Sequence, residues 1–174
     1  MLSSLPRLVI HDQDNTQLMA LASFPQNITQ PIKALGFDYG TQKIGVAYGQ
    51  SLTGTANPIT ILKAKDGIPD WSQIESLLNE WKPTVVVVGL PYNLDGSESE
   101  LFIRATKFGN RIHGRFGIPC YGIDERLSSV EAKQIMLEDD SRSKKKAAID
   151  DIAAQLILEN WFSELAARPA KSAV

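Results

Sequence analysis

The chain has 174 residues, 43% of them hydrophobic, and a formal net charge of -2 from 18 Lys plus Arg against 20 Asp plus Glu. That length carries one substantial core and not two large domains, and the balanced charge means that any nucleic-acid footprint must be a local patch. The single cysteine, Cys120, excludes an intramolecular disulfide and a Cys-rich zinc site, and His11 and His113 make no metal-binding motif. With no long apolar span and no basic-then-apolar leader, the expectation is a soluble protein of the reducing cytoplasm with no membrane partner.

Residues 1–32 read as an N-terminal extension. Leu8-Val9-Ile10 suits one short strand, 11–16 is polar, and the stretch from Pro25 to Pro31 is a linker or loop. An ordered arm, an extra edge strand and a tail are all open; a partly ordered extension outside the core is expected. At 33–50 the pattern sharpens. Ala34, Leu35 and Phe37 suit a strand that Asp38 closes, Tyr39-Gly40-Thr41-Gln42 turns, with Gly40 free to take a positive φ, and Ile44, Val46 and Tyr48 alternate along a returning strand. Asp38 therefore sits near a hairpin tip, where it either caps the turn or has a chemical task.

Residues 51–57 are turn-rich, 58–62 supply a third antiparallel strand and 63–69 expose the chain. Trp71, Ile74, Leu77, Leu78 and Trp81 recur at helical spacing, with Asp70 as N-cap and Pro83 marking the end. The run 84–90 holds four consecutive valines, which fits a central strand covered on both faces; the loop from Pro91 to Ser97 follows its carboxyl end, where ligands of open α/β sheets often sit. A helix over 98–116 turns Leu101, Phe102, Ala105 and Phe108 inward, and its other flank is basic through Arg104, Lys107, Arg111 and Arg115. That flank is either a phosphate-facing patch or a solvated face. A short strand over 118–123 runs into Asp124-Glu125-Arg126, Ser128 or Ser129 caps a helix whose apolar residues reach Leu137, and 144–165 forms a last helix with an apolar face of Ile149, Ile152, Ala153, Leu156, Ile157, Trp161 and Phe162. Asp150 falls at the border of that stripe and Asp151 further outward. Residues 166–174 are a tail.

The order strand–strand–strand–helix–strand–helix–strand–helices predicts an α/β fold with a mixed five-stranded sheet. If the strands ending at Asp38 and Asp124 are neighbours, their carboxylates emerge at one sheet edge and the last helix can bring Asp150 there. Three close carboxylates repel unless cations or protons compensate, and an all-oxygen cluster suits Mg²⁺ or Mn²⁺. Two such ions about 3.5–4 Å apart can activate a water and stabilise the leaving oxygen in phosphodiester hydrolysis. Cys120 and the tryptophans at 71, 81 and 161 read as structural.

Four blocks resemble the YqgF/RuvX family of the RNase H-like superfamily: LGFDYGTQKIGVAYG at 35–49, VVVGLPYNLDGSESE at 86–100, IDERLSSVEA at 123–132 and KKKAAIDDIAAQLILENW at 144–161. The resemblance covers 33–165 and implies an RNase H-like nuclease domain there. It implies Asp38, Asp124 and Asp150 as catalytic metal ligands with Glu125 adjacent. From their positions, Lys43 and Arg126 would contact or orient phosphate, Asn93 would shape the nucleic-acid groove near the same edge, and Lys144, Lys145 and Lys146 form a second basic patch for nucleic-acid contact. Lys43 stands where the family commonly has arginine, which keeps the charge and loses the bidentate fork. The implied activity is metal-dependent endonucleolysis in maturation of the 5′ end of pre-16S rRNA during ribosome biogenesis, on structured RNA or a pre-ribosomal particle, as a monomer or homodimer. Cutting of branched DNA at Holliday junctions and a weakly catalytic RNA-binding role in ribosome assembly are the alternatives; a carbohydrate- or acetate-kinase-like ATPase is the weaker reading, because the chain is short and lacks a clear second lobe to enclose a nucleotide between domains.

Overall fold

The computed structural model describes residues 7–8, 18–28, 30–93, 95–125 and 142–168, and only the backbone of 7, 8, 18 and 142–151. Its strands are β1 (Arg7–Leu8), β2 (Leu18–Met19), β3 (Lys33–Asp38), β4 (Lys43–Gln50), β5 (Thr55–Lys65), β6 (Ile68–Pro69), β7 (Val85–Leu90) and β8 (Cys120–Asp124); its helices are α1 (Trp71–Trp81), α2 (Glu100–Phe116) and α3 (Arg142–Ala167). β1 and β2 pair with each other, and the rest form one sheet in the order β6-β5-β4-β3-β7-β8. The pairs β3–β4, β4–β5 and β5–β6 are antiparallel. β7 joins β3, and β8 joins β7, in parallel. This is the expected mixed sheet, with the two-residue β6 added at its edge. Because β3, β7 and β8 are parallel, their carboxyl ends share one edge.

Each face of the sheet buries its own core. Alternation along β3 sends Leu35, Phe37 and Tyr39 to one side, where Ile74 and Leu77 of α1 and Phe102, Ala105, Phe108 and Ile112 of α2 cover them. Ala34 faces the other side, with Ala47, Ala56, Val85 and Val87, under Ala154, Ile157, Leu158, Trp161 and Phe162 of α3. All six residues of β7 are buried, as four valines in a row require. A full burial of this kind stabilises by about 1.5–3 kcal/mol per large apolar side chain. The α3 face is lined with small residues, and a Cβ on Gly36 would collide with Leu158. The helix therefore lies close against the strands.

Several local expectations change. β5 runs from Thr55 to Lys65, longer than the predicted 58–62, because its pairing with β4 continues on both sides and absorbs Pro58 at a register shift beside Val46/Ala47. Gly40 takes no positive φ; it is tight because a Cβ there would meet the Lys43 carbonyl at 2.6 Å. The buried stripe of α3 is Ala154, Ile157, Leu158, Trp161 and Phe162, with Ile152, Ala153 and Leu156 only half-buried, so the helix is rotated from the predicted face. Asp70 does cap α1, accepting from the Ser72 N–H at 3.0 Å and its hydroxyl at 2.6 Å, and these bonds hold its carboxyl below the ordinary range. Ser99 caps α2 through the Phe102 N–H at 2.9 Å. The helix predicted from Ser128 to Leu137 lies outside the described residues.

The described part of the extension is stitched to the core. The Ala22 carbonyl accepts the Gly122 N–H at 2.9 Å, covering the outer side of β8. Asn110 Nδ2 donates to the Met19 carbonyl at 2.7 Å, and Trp161 Nε1 donates to the Ser23 carbonyl at 2.7 Å. Phe24 stacks on Trp161 at 5.7 Å between centroids, and Ile32 is buried in the α3-side core.

Candidate active site

The edge at the carboxyl ends of β3, β7 and β8 carries the carboxylates, and strand parity sorts them. Asp38 is two residues from Gly36 and four from Ala34, so it shares their side of the sheet, the α3 side. Asp124 shares parity with Cys120 and Gly122, and Cys120 belongs to the α1/α2 core. Glu125 extends β8 by one step, its N–H donating to the Leu90 carbonyl at 3.2 Å. It shares parity with Ile123 of the α3-side core. Its carboxylate lies beside Gly89, where a Cβ would come within 2.5 Å of both Glu125 Oε2 and Ile157 Cδ1. Glycine at 89 thus makes room for the Glu125 carboxylate under α3. All three acids are half-buried, and each has interaction partners.

The backbone of α3 includes Asp150, four residues before Ala154 and seven before Ile157, the spacing of the stripe that packs on the sheet. Asp151 stands seven before Leu158, so spacing gives both aspartates an equal place on that stripe. Their side chains, and those of Lys144, Lys145 and Lys146, are outside the described residues, as is all of Arg126. Among the described residues no three Asp, Glu, His or Cys side chains form a metal-holding group. Asp38 and Glu125 offer hard oxygen donors on one face, the donor chemistry that Mg²⁺ or Mn²⁺ takes, and that face is the one covered by α3. The described carboxylates fit such an ion as part of a set that α3 would complete.

Lys43 opens β4 at the same edge, exposed and in register with Lys63. Asn93 builds its own loop: its Nδ2 donates to Ser97 Oγ at 3.0 Å, its N–H to the Ser97 carbonyl at 2.9 Å, and its carbonyl accepts the Gly96 N–H at 2.8 Å. Gly96 takes φ 88° in that turn. The loop also anchors the helix behind it, since Ser99 Oγ donates to the Pro91 carbonyl at 2.6 Å. On the opposite side of β3, the basic flank of α2 faces Tyr39, Asp66 and Trp71 across a cleft. The sequence marked the flank and not its partners, which come from the β3–β4 turn, the β5–β6 hairpin and the start of α1.

Cys120 is buried, and burial pushes its thiol up to about 12, against a weaker lowering by a hydrogen bond. Trp161 is fully buried, Trp71 stacks near Phe108 at 6.1 Å, and Trp81 meets Tyr48 at 4.8 Å.

The family model described as RuvX, Holliday junction resolvase, matches residues 32–164. A protein of Aeromonas hydrophila named "Putative pre-16S rRNA nuclease" is 53% identical over 131 residues, which are 75% of this chain and 94% of that protein. A Proteus mirabilis protein of the same name is 54% identical over 129 residues, 74% of this chain and 93% of that one. Among solved structures, Thermus thermophilus RuvC in complex with a Holliday junction substrate is similar over 78% of this chain and 96% of that chain, at 14% identity and a TM-score of 0.47.

Proposed function

The chain belongs to the RuvX family, and on that premise we propose that it is a metal-dependent endonuclease that hydrolyses RNA phosphodiester bonds in the 5′ maturation of pre-16S rRNA. The observation that carries this reading is the identity above 50% to proteins named for that activity, over nearly their whole length. The edge geometry supports it. Asp38 and Glu125 stand on one face, and α3 passes over that face with Asp150 at the spacing of its packed stripe. In this reading Asp38 and Asp150 hold the metal as expected from the sequence, but Glu125 takes the place expected for Asp124, because the parity of β8 favours Glu125 on the α3 side and leaves Asp124 bordering the same edge from the other face.

When bound, Mg²⁺ or Mn²⁺ would supply a lowered water pKa and charge stabilisation at the leaving oxygen. The chain's own residues do the positioning. The half-buried carboxylates are held by a rigid sheet edge and accept no large neighbour at Gly89. Lys43 offers a cation at the edge, and Arg126 with Lys144, Lys145 and Lys146 extends the proposed backbone contacts along the strand. The partner is a structured RNA or pre-ribosomal particle.

A second reading, cleavage of a four-way DNA junction, is favoured by the description of the family itself. Both are tested by incubating the protein with a 5′-extended small-subunit rRNA precursor and with a four-way DNA junction, in Mg²⁺ or Mn²⁺, beside D38N. The expected result is RNA cleavage by the wild type and a loss on the order of 10³-fold in D38N. Preferential cutting of the junction moves the assignment to a resolvase. Tight RNA binding without cleavage moves it to an assembly factor, and equal cutting by D38N removes the proposed site.

A further inference from the structure

On the α1/α2 side of β3 lies a cleft of about 200 Å³ between α2 and the β5–β6 hairpin. Arg104, Lys107 and Arg111 line it, with Tyr39 and Trp71 inside and Asp66 and Gly67 at the hairpin tip. We propose that this cleft is a phosphate subsite that holds the RNA backbone beyond the bond being cut. The inference rests on the nuclease reading and adds to it a place and a set of residues.

The cleft is built by interactions across the fold. Gly67 N–H donates to the Thr41 carbonyl and Ala64 N–H to the Gln42 carbonyl, both at 2.8 Å, lacing the hairpin to the turn after Asp38. The Tyr39 hydroxyl donates to the Gly67 carbonyl at 2.8 Å. Gly67 has φ 80°, and a Cβ there would collide with that hydroxyl, so only glycine keeps the wall in place. Arg104 Nη2 donates to the Asp66 carbonyl at 2.6 Å and to Asp66 Oδ1 at 3.0 Å, which aims the guanidinium across the mouth.

Charge gives the site its sign. Three cations meet one acid among the lining residues. That acid is 88% exposed while Arg104 is 30% exposed, so water screens Asp66 more than it screens the arginine. Burial raises the Tyr39 pKa, with Arg104 and Arg111 acting in the opposite direction, so both guanidinium groups are felt at the hydroxyl. Arg115 continues the row, 4.3 Å over the Trp71 ring. Residues 104, 107, 111 and 115 follow at three- and four-residue steps, so the four cations line one flank of α2, with Asp66 and Glu100 acting on Arg104. Arginine forks match phosphate oxygens. Position completes the case: Tyr39 follows Asp38, so β3 delivers a carboxylate to one face and the floor of the cationic cleft to the other. A strand crossing the edge would meet both.

The test is fluorescence anisotropy of a labelled small-subunit rRNA precursor fragment, in EDTA so that nothing is cut, over a salt series. R111Q is expected to weaken binding roughly fourfold near 0.15 M salt and to shrink the log–log salt slope by about 0.7, the loss of one phosphate contact. D66N is expected to tighten binding, because it removes the competing charge. Asparagine tolerates the φ of 48° at that position, and the main-chain carbonyl still aims Arg104. This opposite sign separates a phosphate site from a merely structural cluster, and D66N keeps the test valid if R111Q does not fold. Wild-type binding with both variants unchanged overturns the subsite alone. No wild-type binding at any salt overturns the subsite together with the RNA reading.

Discussion

The two faces of the sheet differ in side-chain size and in the balance of charge they carry to the edge. On the α3 side, Ala34, Gly36, Ala47 and Ala56 let one helix lie close, and the carboxylates of Asp38 and Glu125 share that side. On the α1/α2 side, Leu35, Phe37, Ile44 and Val46 fill a deeper layer under two helices, and the cations of α2 end that layer. One strand feeds both, through Asp38 and Tyr39. The division implies that chemistry sits where the helix is closest, and grip on the strand sits where the layer is thick enough to hold long arginine side chains along its rim.

The largest expected effect breaks the comparison at Asp124 and Glu125. If face decides role, E125Q lowers the Mg²⁺-dependent cleavage rate on the order of 10²-fold or more, while D124N stays within about tenfold of the wild type. Both should melt within a few degrees of the parent. Single-turnover cleavage of the RNA precursor reads the difference. The opposite ranking would mean that the chain end of β8 twists enough to exchange the two faces.

A smaller effect sharpens the comparison within β3. Gly36→Val forces a branched side chain into Leu158 and should destabilise by about 1–3 kcal/mol through overpacking. On the neighbouring residue and the opposite face, Leu35→Ala leaves a cavity. Urea unfolding should then show the two variants destabilised for opposite reasons. A further Leu158→Ala change should restore part of the stability lost in Gly36→Val and none of that lost in Leu35→Ala. Absence of that rescue would mean that α3 is not the element that sets the small-residue face.

How far the sequence could be read depended on whether a feature was local. The hairpin of β3 and β4, the buried valine strand, and the cap at Asp70 each follow from a few neighbouring residues, and each is found. The α/β order followed because alternation and helical spacing change period cleanly along the chain. What escaped depends on contacts far apart. Ser23 meets Trp161, and Ala22 meets Gly122, across about a hundred residues or more, so the docking of the extension has no local signal. The length of β5 is set by its partner β4, against the local discouragement of Pro58. Among the acids, the Asp-Glu pair at the end of β8 was visible, and the face each one takes needed the parity of the strand fixed by its parallel neighbour. A glycine at 89, one residue from the end of a strand otherwise of valine and leucine, was the available signal that something must lie close there.

The smallest effect uses the other strand that feeds both faces. Cys120 faces the α1/α2 core and Tyr121, beside it, packs near Trp161 at 6.0 Å on the α3 side. Burial raises both pKa values, Cys120 from 9.0 to about 12 and Tyr121 upward from 10.0. The folded chain keeps the thiol proton and the unfolded chain releases it near pH 9. Stability from this source is therefore complete below pH 9 and is lost as the pH rises toward 12, because over that range the unfolded state binds fewer protons. Between pH 8 and 10 the wild type should lose roughly 1 kcal/mol more than C120A in urea unfolding. Tyr39 and Tyr121 titrate in the same direction, but their unfolded-state values lie at 10.0, so the lower half of this window belongs mainly to the thiol. Equal losses in the two proteins would mean that water reaches Cys120, and that the thick face is looser at β8 than its packing against α2 implies.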